Sequence, residues 1–286
     1  MNALRQTLNT LRWRLIPVRY AGKIARSIAH PRLPSAAPAP TLPGAVGLAR
    51  EGHAPGPTIP AETVAAMQAI YRPRAAQVVP TETGHPFTNL FRVEDIDAAN
   101  PVFAFAVSPG VLDVASDYYG GRILFDSIQV LYSFPTSGAL RESQMWHKDF
   151  GDSKSFHCVA YLNDVLDDTG GPFGYVDRAD TGRIASSPFI RRISDEQFAH
   201  ELGDGTVRKF YGHAGESVFI DPSACYHYGS RCVTPRMAIF VTFNTDRPFV
   251  AGQRPIVGNE AHAAAEAIRL RPDLDPDHLR RIFNAA

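Results

Sequence analysis

The pair His147-x-Asp149, within Gln144-Met145-Trp146-His147-Lys148-Asp149, constrains this chain most when joined to His227, eighty positions later in Cys225-Tyr226-His227-Tyr228-Gly229. On an extended strand residues i and i+2 point to the same side, so His147 and Asp149 can reach one ion while Lys148 faces away. A third ligand so far along the chain joins them only if a later strand returns alongside, which calls for a sheet. Two imidazoles and one carboxylate are the set that holds a non-heme Fe(II) on one face and leaves positions open for cosubstrate and dioxygen. Arg236 lies nine residues after His227, where an anionic cosubstrate would need a cation.

The surrounding text supplies such a sheet. From about residue 120 the chain breaks into short β-rich runs, clearest at 123–134, 156–162, 216–220 and 237–243. Turn formers such as Thr169-Gly170-Gly171-Pro172 and Gly203-Asp204-Gly205 separate them. Many short strands at this density favour a sandwich or barrel. On the run that begins at Arg236, residues Arg236, Ala238, Phe240 and Thr242 share one face while Met237, Ile239, Val241 and Phe243 share the other. Both faces are largely apolar, so this strand is expected to be buried on both sides, and a charge at its head then needs an anionic partner. A dicarboxylate suits a guanidinium fork.

Helical text flanks the β-rich part. Residues 61–71 follow Pro60, which suits a helix start, and 260–270 and 276–283 read as two C-terminal helices. Residues 31–60 hold eight prolines with little apolar periodicity and are expected to form a linker, extended or disordered. In residues 1–30, Leu4, Leu8, Leu11 and Leu15 recur at helical spacing among arginines until Pro17. Such a basic amphipathic segment suits peripheral membrane contact, targeting, or packing on its own domain, and the short apolar stripe favours packing.

The net charge is zero, yet residues 1–50 carry eight basic side chains and no acid, leaving 21 basic against 29 acidic residues beyond them. An acidic main domain argues against nucleic acid as a partner. No stretch approaches the ~20 apolar residues of a membrane span, and the N-terminus lacks the apolar core of a secretory signal. Three cysteines, Cys158, Cys225 and Cys232, make no disulfide framework and suit a reducing cytoplasm. Cys225-x-His227 also reads as part of a zinc site, but no Cys-x-x-Cys supports it, and buried thiols are the plainer reading.

His147-x-Asp149, the run 156–165 ending in Tyr161-Leu162-Asn163-Asp164-Val165, Gly171-Pro172-Phe173, and His227 with Arg236 resemble the phytanoyl-CoA dioxygenase-like group of Fe(II)/2-oxoglutarate-dependent oxygenases. The resemblance spans roughly residues 120–245. It implies a mainly β protein with flanking helices and a double-stranded β-helix (jelly-roll, cupin-like) core, in an oxygenase domain over 61–286. It implies that His147, Asp149 and His227 hold Fe(II), that Arg236 anchors the far carboxylate of 2-oxoglutarate, and that Gln144 hydrogen-bonds this cosubstrate. Dioxygen would then be consumed to oxidise a small-molecule C–H bond, by hydroxylation or otherwise, with release of succinate and CO2. Where relatives often carry Pro-Gly-Ser-His after the Gly-Pro turn, this chain has Gly174-Tyr175-Val176-Asp177-Arg178-Ala179-Asp180. Asp149 is retained, against a halogenase-type site.

Each residue also has a plainer role. His147 alone reads as a sheet histidine with Asp149 as its partner, and Arg236 as an exposed cation after Pro235. Gln129, Tyr132 and Tyr161 are candidate pocket residues that could equally be packing, as could Trp146. Lys148 reads as solvated. His157 and His213 lack a ligand-spaced partner. Two other functions fit the same residues: a cupin-like metalloenzyme that does not use 2-oxoglutarate, and a non-enzymatic jelly-roll binding module. No basic cluster in the main domain addresses a CoA phosphate, so the expected substrate is a small molecule other than an acyl-CoA.

Overall fold

The structure, a computed structural model, describes residues 38–79, 86–135, 138–149, 151–185, 192–248 and 252–285. The basic segment expected over 1–30 and the first part of the expected linker lie outside the described residues. From residue 43 that linker departs from expectation. Helix α1 (Pro43–Glu51) begins with a proline whose missing N–H costs a first turn nothing, and it stops at Gly52 in the left-handed conformation. Strand β1 (His53–Pro55) follows and joins a sheet edge. Proline content marked where elements begin and end here, rather than an absence of structure.

Helix α2 (Ala61–Ala76) starts after Pro60 and buries Val64, Met67, Tyr71 and Ala75 along one face. Strand β2 (Phe87–Asn89) and helices α3 (Pro101–Ala106) and α4 (Val114–Tyr119) lead into β3 (Ile123–Ser133). Then come β4 (Trp146–His147), β5 (Ser155–Tyr161), β6 (Phe173–Tyr175), α5 (Arg178–Arg183), β7 (Arg192–Ile193), α6 (Asp195–Leu202), β8 (Arg208–Phe210), β9 (Ser217–Ile220), β10 (His227–Tyr228) and β11 (Arg236–Thr245). The chain closes with α7 (Glu260–Leu270) and α8 (Pro276–Ile282). Two antiparallel sheets result, a six-stranded one ordered β1-β9-β5-β11-β3-β2 and a five-stranded one ordered β7-β4-β10-β6-β8. This is the expected mainly β jelly roll with flanking helices. No helix among the described residues is long and apolar enough to cross a membrane.

Strand β11 fulfils the two-sided burial read from its text. Met237, Ile239, Val241 and Phe243 enter the largest apolar cluster, with Val102, Phe103, Ala263, Ala267, Leu279 and Phe283 from the flanking helices and their ends. Phe283 stacks on Phe125, their ring centres 4.9 Å apart. Ala238 and Phe240 face the opposite way, into a smaller cluster with Val159, Tyr161, Phe173 and Val218. That second cluster lies between the sheets. Burying one such aliphatic or aromatic side chain is worth about 1.5–3 kcal/mol, so the helices hold the large sheet by its outer face while its inner face is left for the site.

One irregularity interrupts the β3–β11 ladder. Thr242 pairs with Ser127 but Phe243 pairs with Phe125, so Asp126 is an extra residue on β3. A bulge of this kind re-aims a side chain. Asp126 accepts a hydrogen bond from Nδ2 of Asn244 (2.8 Å), and Oδ1 of Asn244 accepts one from the Ser155 hydroxyl (3.0 Å).

Candidate metal centre

His147 and His227 face each other across the β4–β10 pair as direct partners in register. Each imidazole uses Nδ1–H to donate to a backbone carbonyl two residues earlier, His147 to Met145 (2.8 Å) and His227 to Cys225 (3.1 Å). A carbonyl oxygen only accepts, so Nδ1 carries a proton, and in the neutral ring this leaves Nε2 with a free lone pair. The two rings lie 4.3 Å apart. Burial, then the neighbouring His227, pushes the pKa of His147 down to about 3, so its ring is neutral near pH 7.

Asp149 completes the set. Oδ1 lies 3.7 Å from Nε2 of His147 and 4.0 Å from Nε2 of His227. These separations exceed a hydrogen bond, and neutral rings protonated at Nδ1 place no hydrogen between the three acceptors. Three lone-pair donors converging within 4.8 Å fit a cation, and they form the one such His/Cys/Asp/Glu cluster among the described residues. The Asp149 backbone N–H donates to Pro222 O (2.8 Å), which ties the segment to the end of β9. Asp221, next in that turn, is buried and accepts from the Tyr118 hydroxyl (2.7 Å), Ser155 N, Ser223 N and Oγ, and Ala224 N.

Arg236 sits at the head of β11, 1% exposed. Its Nη1 donates to Gly171 O (2.6 Å), while Nε is buried without a partner. Among the described residues no carboxylate pairs with it, so a guanidinium lies in the protein interior with part of its fork unused. Burial lowers its pKa, yet an arginine remains charged. Gly171 adopts φ +66°, and a Cβ there would come within 2.6 Å of Cys232 N and Ser230 Oγ. The Gly171-Pro172-Phe173 text therefore has a local cause: only glycine lets this turn lie against residues 230–232 and present its carbonyl to Arg236. Phe173 N–H donates to the Tyr161 hydroxyl (3.0 Å), and the Phe173 ring stacks on His227 at 5.6 Å. One aromatic ring thus joins the arginine's surroundings to His227.

The remaining candidates divide. Gln129 is half-buried on the inner face opposite Phe240, and its Nε2 lies 3.4 Å from Gln253 Oε1. Tyr132 is opposite Met237 and packs against the outer cluster, so the structure removes it from the pocket side. A separation of three on one strand puts Gln129 and Tyr132 on opposite faces. Tyr161 is buried with its hydroxyl donating to Phe210 O (2.7 Å), and its ring lies 5.6 Å from the Arg236 guanidinium, walling the cation. Gln144 is buried, with Oε1 accepting from Arg141 N (3.1 Å) and Nε2 donating to Ser230 O (3.2 Å), so it braces the loop before β4 against the loop after β10. Trp146 stacks on Phe198 at 3.7 Å and is packing. Lys148 is half-buried, 5.5 Å from the Tyr226 ring centre, rather than solvated.

His157 is the residue that linear spacing missed. Its Nε2 is 3.7 Å from Oδ2 of Asp149, and burial pushes its pKa down to about 4. The available signal was parity: His157 shares a face of β5 with Val159 and Tyr161 and pairs with Thr242 on the inner face of β11. The cysteines stand outside this cluster. All three are buried, and burial pushes the Cys158 and Cys225 thiols up to about 12.

No family model and no curated protein matches the chain. Solved structures do share its fold. The non-heme alpha ketoglutarate dependent carbocyclase SnoK from nogalamycin biosynthesis is 14% identical, covering 78% of this chain and 91% of that one, with a TM-score of 0.53. EctD from S. alaskensis, solved with 2-oxoglutarate and 5-hydroxyectoine, is 18% identical over 78% of this chain and 83% of that one, with a TM-score of 0.54.

Proposed function

We propose that this chain is an Fe(II)- and 2-oxoglutarate-dependent oxygenase that oxidises a C–H bond of a small molecule. One observation carries the reading: three converging lone-pair donors on one side of the inter-sheet space, together with a buried guanidinium that has no carboxylate partner among the described residues. His147, Asp149 and His227 would hold the metal, and a two-histidine, one-carboxylate set suits Fe(II) with positions left open. When bound, iron and 2-oxoglutarate together activate dioxygen, yielding succinate, CO2 and oxidised substrate.

The chain's own part is positioning and exclusion of water. Met145 O and Cys225 O fix both ring orientations through Nδ1, which aims each Nε2 and raises its basicity. Arg236 offers its fork to a carboxylate, and Tyr161 and the Gly171 carbonyl hold that fork in place. Phe173 and Phe240, their ring centres 6.3 Å apart, wall the space beside His227 with apolar surface. The Tyr161–Val165 and Gly171–Phe173 landmarks support a resemblance to the phytanoyl-CoA dioxygenase-like group. Its three buried thiols suit the cytoplasm.

The names of SnoK and EctD point to different outcomes on different substrates, a carbocyclase in one case and a hydroxylated ectoine in the crystal in the other. Succinate release is common to such reactions and is the readout to use. The test is a succinate screen of the full chain against a metabolite library with Fe(II), 2-oxoglutarate and ascorbate, preceded by anaerobic spectroscopic titration of the Fe(II) protein with 2-oxoglutarate. A saturable spectral change followed by substrate-dependent succinate supports the reading. Iron binding with no response to 2-oxoglutarate would instead indicate a jelly-roll metalloenzyme of another kind.

A further inference from the structure

We infer that His157 is a positioning residue that holds the Asp149 carboxylate to one-oxygen coordination by donating its Nε2–H to Oδ2. The inference rests on the metal-centre reading above and adds to it a residue outside the three ligands.

The two oxygens of Asp149 face different neighbours. Oδ1 looks toward the Nε2 atoms of His147 and His227, at 3.7 and 4.0 Å, whereas Oδ2 looks toward Nε2 of His157, at 3.7 Å. His157 lies outside the group whose ligand atoms all converge within 4.8 Å, so it stands beside the carboxylate rather than among the donors. Its mounting is firmer than that of Asp149. His157 is in the middle of three paired strands, with Thr242 of β11 on one side and Ile220 of β9 on the other, and its side chain is 15% exposed. The Phe240 ring meets it edge-on at 6.2 Å. Asp149 lies just beyond the two-residue strand β4, its side chain is 30% exposed, and its N–H is tied to Pro222 O.

A carboxylate on a metal can bind through one oxygen or both, and the second mode takes a position that cosubstrate or dioxygen needs. An N–H directed at Oδ2 occupies that oxygen and fixes the rotation of the carboxylate, as outer partners of metal-bound side chains do. Closing 3.7 Å to a hydrogen bond needs less than about 1 Å of movement, well within the reach of a side chain drawn toward a cation.

The test uses the full chain and Fe(II) alone, measured anaerobically by competition with a colorimetric Fe(II) chelator. His157→Gln keeps an N–H at similar reach. His157→Met has similar length without a donor, and His157→Phe keeps a ring against Phe240 without a donor. His147→Ala is the control for the centre itself. The expected pattern is Fe(II) affinity within about 3-fold of wild type for Gln and about 10- to 100-fold weaker for Met and Phe, the range typical of lost outer partners. Having two donor-free variants keeps the comparison if one fails to fold. Met and Phe variants that bind as tightly as wild type would overturn the inference while His147→Ala still loses iron and the centre stands. A Gln variant as weak as Met and Phe would also overturn it, since the imidazole would then act by shape or as a ligand. Wild type that takes up no Fe(II) removes the metal-centre reading, and the inference with it.

Discussion

The six-stranded sheet is built on an eleven-residue strand paired with a ten-residue one, whereas the strands that carry His147 and His227 are two residues long. Long ladders specify themselves, because a one-residue slip would turn every apolar side chain of β11 to the wrong face. The short strands have no such protection, and side chains supply it instead. Gln144 spans from Arg141 N to Ser230 O, Arg231 pairs with Asp195 and also donates to Gln144 O, and Trp146 stacks on Phe198. The long apolar ladders therefore lie in one sheet, and the two candidate ligand histidines lie in the other. Lesions in one should separate from lesions in the other.

The largest separation is expected at the ligands. His147→Ala and Asp149→Ala should reduce iron-dependent succinate formation to background while far-UV circular dichroism and the melting temperature stay near wild type, measured without metal. Turnover in either variant would remove the metal assignment. The reverse lesion is Phe243→Ala on the outer face of β11, where the ring meets Phe125 and Phe156. It should cost about 3–5 kcal/mol by denaturant titration and leave the Fe(II) affinity of the remaining folded protein unchanged. An equal fall in both would show that the sheets are not independent.

A smaller effect is expected at Arg236, which belongs to the large sheet by position and to the site by chemistry. Arg236→Ala should raise the 2-oxoglutarate concentration for half-maximal turnover about 100-fold, since one or two charge-assisted hydrogen bonds are worth about 1.5–3 kcal/mol each. Fe(II) affinity should hold. An unchanged 2-oxoglutarate response would assign the cation to another purpose.

Legibility in the sequence followed the same division. The long runs were readable because alternation over ten residues leaves one register, and the burial of Arg236 was readable because it heads a strand apolar on both faces. The candidate ligands were singled out by residue type and i, i+2 spacing, and the fold brings all three together. His157 was not, because its partner is eight residues away by number and adjacent only through the fold. Tyr132 was misassigned by ignoring parity against Gln129. Gln144 was singled out for standing three residues before His147, and the text could not show that its amide also holds two loops together. Residues 43–55 looked like linker because proline content was weighed above the Pro-start and Gly-stop signals of α1.

Asp126 offers the smallest and most discriminating test, because the bulge that carries it lies where the large sheet approaches the site. Burial pushes its pKa up to about 6, hydrogen bonds from Ser127 and Asn244 oppose the rise, and the Asp149 and Asp152 carboxylates add to it. A folded pKa above the unfolded value near 3.9 means that the native state binds the proton more tightly. The stability this confers is fully present below about pH 4 and is lost as pH rises through about 6. Asp126→Asn removes the titration while keeping an oxygen that can accept from Asn244. The variant should therefore gain on wild type between pH 4 and pH 7 by an amount on the order of 2 kcal/mol, read from denaturant titrations of the metal-free proteins at each pH. His147 and His157, whose lowered pKa values give the opposite slope, are present in both proteins and cancel in the difference. A difference that does not vary with pH would mean that the bulge does not hold Asp126 in its neutral, protonated form.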